Sequence, residues 1–381
     1  MDFSLSQDQK ELQGTVIRFA QRELNDDVIR RDAGGEFPRA LWGKCAVLGI
    51  QGLFIPEEYG GSGFDALTTI IALEALGYAC KDNGLLFSLN AQMWSFELPV
   101  WKFGREEQKQ RYLPRLCDGS MVAVQAMTEP MSGSDAFSLR TTAQKRGDRY
   151  VLTGSKTFIT NAPVADVFLV FARTDPAKGF AGVSAFLVER QTPRLSVSAP
   201  MHKMGLRTSP MGEISFDGCE VPEENLLGSP GAGSAIFTTS MDWERTCILA
   251  SALGTMQRQL ERCIAYAKER TQFGQPIGKF QAVSHRIVEM KLRLETARLL
   301  LYKVGWLKAQ GKRTAMESAM AKLYLSQCFL DSSLDAVQIH GGYGYSEEYE
   351  FERELRDAVG GRIYSGTSEI QKNIIAGSLG L

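Results

Sequence analysis

The spacing of apolar residues divides the chain into a helical, a β-rich and a second helical stretch. Leu12, Val16, Phe19, Ala20 and Leu24 share one helical face, and Ser6 with Gln9 opens that helix as an S-x-x-Q capping box. A second helix is predicted around residues 39–48. The turn-rich EEYGGSGFD at residues 57–65 leads into a third, which Asp65 can cap. Residues 66–79 are apolar on almost every side, as in a helix buried all round. Residues 85–101 and 106–116 complete a helical domain over residues 1–120.

Near Met121 the period shortens to two. Val122, Val124 and Ala126 alternate, and RYVLTGSKTFIT at residues 149–160 follows a Gly147–Asp148 turn. Residues 167–172, 183–188 and 212–219 are further β-rich runs. They predict a small antiparallel, barrel-like β domain over residues 121–230, ending near Leu227, where GSPGAGS gives a flexible passage onward.

The helical period returns in FTTSMDWERTCILASALGTMQRQL, residues 237–260. Ser240 is placed to cap this helix, Asp242 and Glu244 lie in its first turn, and Ile248, Leu249, Ala252, Leu253 and Met256 share a buried face. Ile287, Met290, Leu294, Ala297, Leu301 and Val304 form a heptad-like seam of the kind that packs inside a four-helix bundle. Met316, Met320, Leu323, Gln327, Leu330, Leu334 and Val337 mark another helix. The predicted class is α+β, with a bundle over residues 231–381.

Composition narrows the function. A chain of 381 residues, 44% hydrophobic and 23% charged, is a globular protein of two or three domains, and its net charge of −1 gives no reason to expect nucleic-acid or membrane binding. Seven scattered cysteines without a CxxC read as reduced thiols. His202, His285 and His340 lack metal-ligand spacing, so no metal is expected. The charged start MDFSLSQDQKE is unlike a signal peptide.

Glu244 lies one turn before Ile248, at the edge of the apolar face. There it is either a first-turn acid facing water or a base aimed into a dry pocket, and helix pattern leaves both open. Thr128, in QAMTEPMSGSD, opens a loop of small residues whose hydroxyl and N–H groups suit a ring edge of alternating acceptors and donors; alone, TEP is a turn. RTQFGQPI supplies Arg270, Gln272 and Phe273, and QIHGGYGY supplies Gln338, Gly341 and Gly342. A cation with paired glycines suits a pyrophosphate, although a GGxG by itself is more often a turn. No Rossmann fingerprint is present, which argues against a nicotinamide.

Taken together, MDWER at residues 241–245 and RDAVGGRIYSGTSEIQ at residues 356–371 resemble the acyl-CoA dehydrogenase family, flavoproteins that oxidise an acyl thioester between Cα and Cβ. The resemblance covers essentially the full chain. Many members carry their catalytic glutamate immediately before the Gly-Thr of the second motif. Here Ser365 stands there, before Gly366 and Thr367, and a serine without a basic partner cannot take a proton from carbon. The isovaleryl-CoA-type branch places its base in an LDLER-like helical segment instead, and MDWER puts Glu244 on it.

The resemblance therefore implies Glu244 as the base and FAD as the cofactor. It implies Met127, Thr128, Ser134, Phe158, Ile159 and Thr160 at the flavin ring. Arg270, Gln272, Phe273, Gln338, Gly341 and Gly342 would hold the dinucleotide part, with Thr367 and Glu369 completing the site. Arg245, Ser365 and Met131 fall on the substrate side; Arg245 orients base or substrate, or is a surface ion pair. Met131 replaces a usual small glycine, and Phe158 replaces the tryptophan of W-I-T, losing an indole N–H.

Within the family, MDWER, the IYSGTSEIQ ending and the AVSHRI…MKLRLE…ARLLLY run resemble the prolyl–carrier-protein dehydrogenases or oxidases of pyrrole and cyclic-imine biosynthesis. That implies oxidation of L-prolyl on an acyl or peptidyl carrier protein, by a cytoplasmic homotetramer. The Arg270 and Gln338 segments are expected at one FAD from different chains. A short branched-chain, isovaleryl-type acyl-CoA dehydrogenase is the alternative. A flavin-free, non-catalytic acyl-thioester binding scaffold is the alternative from another class.

Overall fold

The computed structural model describes residues 4–381. Helix α1 (Gln7–Glu23) opens with the predicted box: Ser6 Oγ accepts from Gln9 N, and Gln9 Oε1 from Ser6 N. α2 (Val28–Gly34) has no counterpart in the periodicity, because it starts at a left-handed Asp27 without a side-chain cap and buries Arg31 and Asp32 beside Val28. α3 (Arg39–Val47) follows, then α4 (Ala66–Ala79), capped by Asp65 at 2.7 Å from Thr68 N and buried on most sides. The predicted helix 85–101 is three pieces: α5 (Asn83–Gln92), a π turn (Met93–Glu97) and α6 (Leu98–Phe103). α7 (Glu106–Cys117) closes this half.

The strands are β1 (Ala123–Ala126), β2 (Thr142–Arg146), β3 (Arg149–Thr160), β4 (Val167–Arg173), β5 (Val183–Glu189), β6 (Leu195–Val197), β7 (Met211–Pro222) and β8 (Leu226–Leu227). They form one sheet in the order β6-β7-β3-β2-β4-β5-β8, with β1 also on β4. Most pairs are antiparallel; β1 runs parallel to β4, and β2 meets β4 in a parallel contact at Thr142 and Arg173. The β3–β7 register slips between Lys156 and Ile159, and the bulge leaves Phe158 at φ 56°.

The last third holds α8 (Gly233–Cys247), α9 (Ala250–Glu269), the β9 (Thr271–Gln272) and β10 (Gln275–Pro276) hairpin, α10 (Gln281–Ala309), α11 (Ala315–His340), α12 (Gly342–Tyr345), α13 (Phe351–Gly360) and α14 (Ser368–Ser378). Ser240 is not a cap. α8 begins at Gly233, and the Ser240 hydroxyl serves tertiary structure instead, at 3.0 Å from Trp94 O and 3.2 Å from Gln125 Oε1. The expected single helix 237–260 is also two, broken at Ile248–Leu249.

Two glycines set the closest contact between the helical regions. A Cβ on Gly254 of α9 would stand 2.0 Å from Glu74 O, and one on Gly77 of α4 would stand 1.9 Å from Ser251 O. No other side chain permits that approach. Arg258 then caps the end of α4, with Nη1 on the carbonyls of Gly77, Tyr78 and Cys80 at 2.6–3.1 Å. In α10 the heptad seam is buried from Met290 to Val304. On α11 the buried face is rich in small and polar residues, Ser318, Ala321, Lys322 and Ser326 among them, beside Leu325, Phe329 and Ile339, and α8, α9, α10, α13 and α14 all press against the helix. Its apolar stripe Met320, Tyr324 and Leu334 faces outward beside Leu292 and Leu299 of α10.

Candidate active site

Glu244 lies near the end of α8 with its carboxylate buried, the residue being 8% exposed. The turn after α13 comes back to it, and Ser365 Oγ donates to Glu244 Oε1 at 2.5 Å. Ser365 has a left-handed backbone, φ 55°, which a non-glycine residue holds only where its surroundings enforce it. Arg245 Nε reaches Ser365 O at 3.2 Å, and Lys322 Nζ of α11 reaches Gly366 O at 2.7 Å. Gln371 Nε2 of α14 bonds both carbonyls, at 3.2 and 2.8 Å. Arg245 is therefore a clasp on this turn; among the described residues it forms no ion pair.

Burial pushes the Glu244 carboxyl above its usual pKa, and the Ser365 hydrogen bond, Arg245 and Lys322 pull against it without cancelling it. Burial, then repulsion from Arg245, brings Lys322 down to about 8. Aromatic pairs involve the residues next to Glu244 and Ser365 in sequence. Trp243 stacks on Trp94 at 6.0 Å, and Tyr364 packs against Phe87 of α5 at 4.6 Å. Phe237, two turns before Glu244 on the same face of α8, meets Phe137 edge-on at 5.7 Å.

The TEP and FIT segments form one wall, because Thr157 N donates to Thr128 O at 2.9 Å. Fully buried Lys156 stands behind it, bonded to Met127 O at 3.0 Å and Glu129 Oε1 at 2.8 Å. Glu129 also accepts from Arg140 N, Thr141 N and Thr141 Oγ1 at 2.6–3.0 Å. Met127 and Ile159 are buried behind the wall, Thr128 and Thr160 are half-buried on it, and Ser134 is exposed on the loop beyond. Phe158 and Met131 stand out, 61% and 76% exposed.

A second group forms elsewhere on the chain. Arg270 lies 5.8 Å from the Tyr343 ring, beside the hairpin where Phe273 is 93% exposed with Gln272 next to it, and Gln338 is exposed at the end of α11. A Cβ on Gly341 or Gly342 would touch nothing within 4 Å. The Arg270 and Gln338 segments lie beside one another in this group. One chain brings them together, since Tyr266 of α9 stacks on His340 of α11 at 4.3 Å. Among the described residues, no hydrogen bond or ring contact of this patch reaches the Thr128–Phe158 wall or Glu244. Thr367 caps α14, 3.4 Å from Ile370 N, and Glu369 is exposed in its first turn.

These groups fit a flavin dinucleotide. An exposed aromatic ring on a strained bulge, next to a hydroxyl, suits a flat conjugated ring. A guanidinium beside open backbone suits a pyrophosphate.

Periodicity missed Lys322, Gln371, Tyr364 and the Lys156–Glu129 pair. Two of them left a signal: Lys156 follows Tyr150, Leu152 and Gly154 on the inward positions of β3, and Lys322 interrupts the small-residue face of α11. A charge on a buried face is the informative exception to a hydrophobic pattern.

The chain belongs to the acyl-CoA dehydrogenase family: its N-terminal, middle and C-terminal domains are matched over residues 6–120, 124–219 and 231–380. Over the full length of both chains it is 44% identical to an L-prolyl-[peptidyl-carrier protein] dehydrogenase of Pseudomonas fluorescens. The same enzyme from a Serratia species is 43% identical, over 100% of this chain and 99% of the relative. The crystal structure of the prolyl acyl carrier protein oxidase AnaB superposes with a TM-score of 0.98 at 50% identity, covering 99% of this chain and all of that one. PigA with FAD and proline gives 0.98 at 43% identity, covering both chains fully.

Proposed function

We propose that this chain is an FAD-dependent dehydrogenase that oxidises an L-prolyl thioester, held on a peptidyl or acyl carrier protein, between Cα and Cβ. The observation that carries the reading is the buried Glu244 carboxylate, met at 2.5 Å by the serine that stands where the usual acid is lacking. A proton α to a thioester is weakly acidic, so its removal needs a carboxylate that is positioned and partly desolvated. Ser365 occupies Oε1; Oε2, with no donor among the described residues, takes the Cα proton. Burial of Glu244, with Tyr364 of the facing turn close enough to feel its charge, supplies that desolvation. FAD, when bound, supplies the acceptor for the hydride that leaves Cβ. The product is a dehydroprolyl thioester, which tautomerises to the 1-pyrroline.

Thr128, Phe158 and their neighbours are the proposed flavin wall, and the Arg270–Gly342 patch is the proposed dinucleotide contact, offered to a second copy. The outward stripe of Leu292, Leu299, Met320, Tyr324 and Leu334 suits a homotetramer. Three folding units are assigned, residues 1–120, 121–230 and 231–381. No helix of the described residues is long and apolar enough to cross a membrane, and seven buried, unpaired thiols suit a reducing compartment, here the cytoplasm.

The test compares prolyl-carrier protein, prolyl-CoA and isovaleryl-CoA side by side, with mass spectrometry of the acyl arm. Loss of two mass units from the prolyl arm, with little turnover of prolyl-CoA, is the expected result. If isovaleryl-CoA has the highest kcat/KM, the enzyme is a branched-chain acyl-CoA dehydrogenase. Colourless purified protein that takes up no FAD would make it a scaffold.

A further inference from the structure

We infer that Lys322 is a positioning residue for the base: by holding the Gly366 carbonyl it keeps the Ser365 hydroxyl on Oε1 of Glu244, leaving Oε2 directed at the substrate. The inference rests on Glu244 being the base, and it assigns tasks to two residues that touch neither Cα nor Cβ.

Lys322 is fully buried, yet among the described residues it forms no ion pair. Its hydrogen bond goes to a main-chain carbonyl, and its ammonium lies 5.9 Å from the Tyr364 ring. An ammonium in that setting costs stability, and a carbonyl alone does not offset the lost hydration. Gln371 shows a second expense at the same turn, for its Nε2 serves Ser365 O and Gly366 O while its buried Oε1 has no partner. The turn they hold is itself strained at Ser365, φ 55°. Three unfavourable features converge on one loop, and the visible return is a hydroxyl fixed against a carboxylate.

The charged and titratable groups facing Glu244 are few. Arg245 comes from its own helix, Lys322 from α11 and Tyr364 from the turn. Asp242 points elsewhere, paired with Lys308 at 2.6 Å, and Glu97 of the π turn is bonded to Gln92. Lys322 thus acts on the base twice, through the turn and through its own field, both favouring the carboxylate.

The experiment follows the Glu244 carboxyl by pH-difference infrared spectroscopy, with Glu244→Gln as the blank, so its outcome does not depend on which acyl group the enzyme accepts. The pH profile of kcat/KM is measured alongside. Ser365→Ala, Ser365→Gly, Lys322→Met and Lys322→Gln should each move the carboxyl titration and the acidic limb to higher pH, with about a tenfold loss of kcat/KM at the acidic end, the scale of one charge-assisted hydrogen bond. Ser365→Gly should match Ser365→Ala although it relieves the backbone, which separates the hydroxyl from the strain. Lys322→Gln can still donate to Gly366 O, keeps the protein testable if Lys322→Met does not fold, and should shift the titration less than Lys322→Met. In Lys322→Met/Ser365→Ala the shifts should fall short of their sum, because one group acts through the other. A carboxyl titration unmoved by Ser365→Ala, or full additivity in the double variant, overturns the inference.

Discussion

Lys156 and Glu129 meet at 2.8 Å inside the wall that carries Thr128, with Lys156 wholly out of contact with water. Burial raises the Glu129 pKa, but Lys156, Thr141 and the Arg140 N–H outweigh it and keep the carboxylate ionised. Removing one partner of a buried pair strands the other, so Lys156→Met should destabilise the protein by about 3–5 kcal/mol, read from urea unfolding. A loss below about 1 kcal/mol would show that the remaining hydrogen bonds of Glu129 suffice.

The glycine crossing of α4 and α9 gives a second test. Gly254→Ala would drive a methyl to 2.0 Å from Glu74 O, and overpacking of this kind costs about 1–3 kcal/mol or more. Gly377 in α14 has nothing within 4 Å of a built Cβ, and Gly377→Ala should gain about 0.5–1 kcal/mol. The two melting temperatures should therefore move in opposite directions.

Glu97 makes stability depend on pH. Burial pushes its carboxyl from 4.5 up to about 8, against a pull from Gln92. The folded state then binds a proton that the unfolded state has released. Its contribution is complete below pH 4.5 and is lost as pH rises toward about 8. Glu97→Gln, neutral throughout, should flatten that part of the stability profile and raise stability at pH 8 relative to the parent; equal slopes for the two proteins would refute it.

Glu244→Gln keeps an oxygen for the Ser365 hydroxyl and should fold with FAD bound. Its rate of α,β-desaturation should fall more than about a hundredfold, as for loss of a general base. Flavin absorbance and single-turnover reduction by the prolyl thioester check the two halves of this expectation. Near-parent reduction by a flavin-loaded variant would assign the proton to another group.

Elements with a strong period were legible from sequence: the capping box at Ser6, the buried helix 66–79, strand 149–160 and the seam of α10. α2 and the start of α8 were not, because a left-handed Asp27 and a glycine-led entry leave no side-chain cap to read. For the site, two motifs pointed to Glu244 and Ser365, but their meeting across 121 positions is a property of the fold. Lys322 was not legible because the exposed apolar residues of α11, Met320 and Leu334, carry a helical period of their own.

The contact between positions 244 and 365 also constrains how such enzymes change over evolutionary time. A glutamate at 365 would set a second carboxylate against Glu244, and two acids at that spacing share one proton. The two addresses for the base then compete within one enzyme. A lineage moving from one to the other passes through an ancestor with both acids, active only at a displaced pH, or one with neither and no turnover. Serine at 365 closes that path behind it: the residue supports the base that remains, so restoring the acid would remove a helper as well as add a rival.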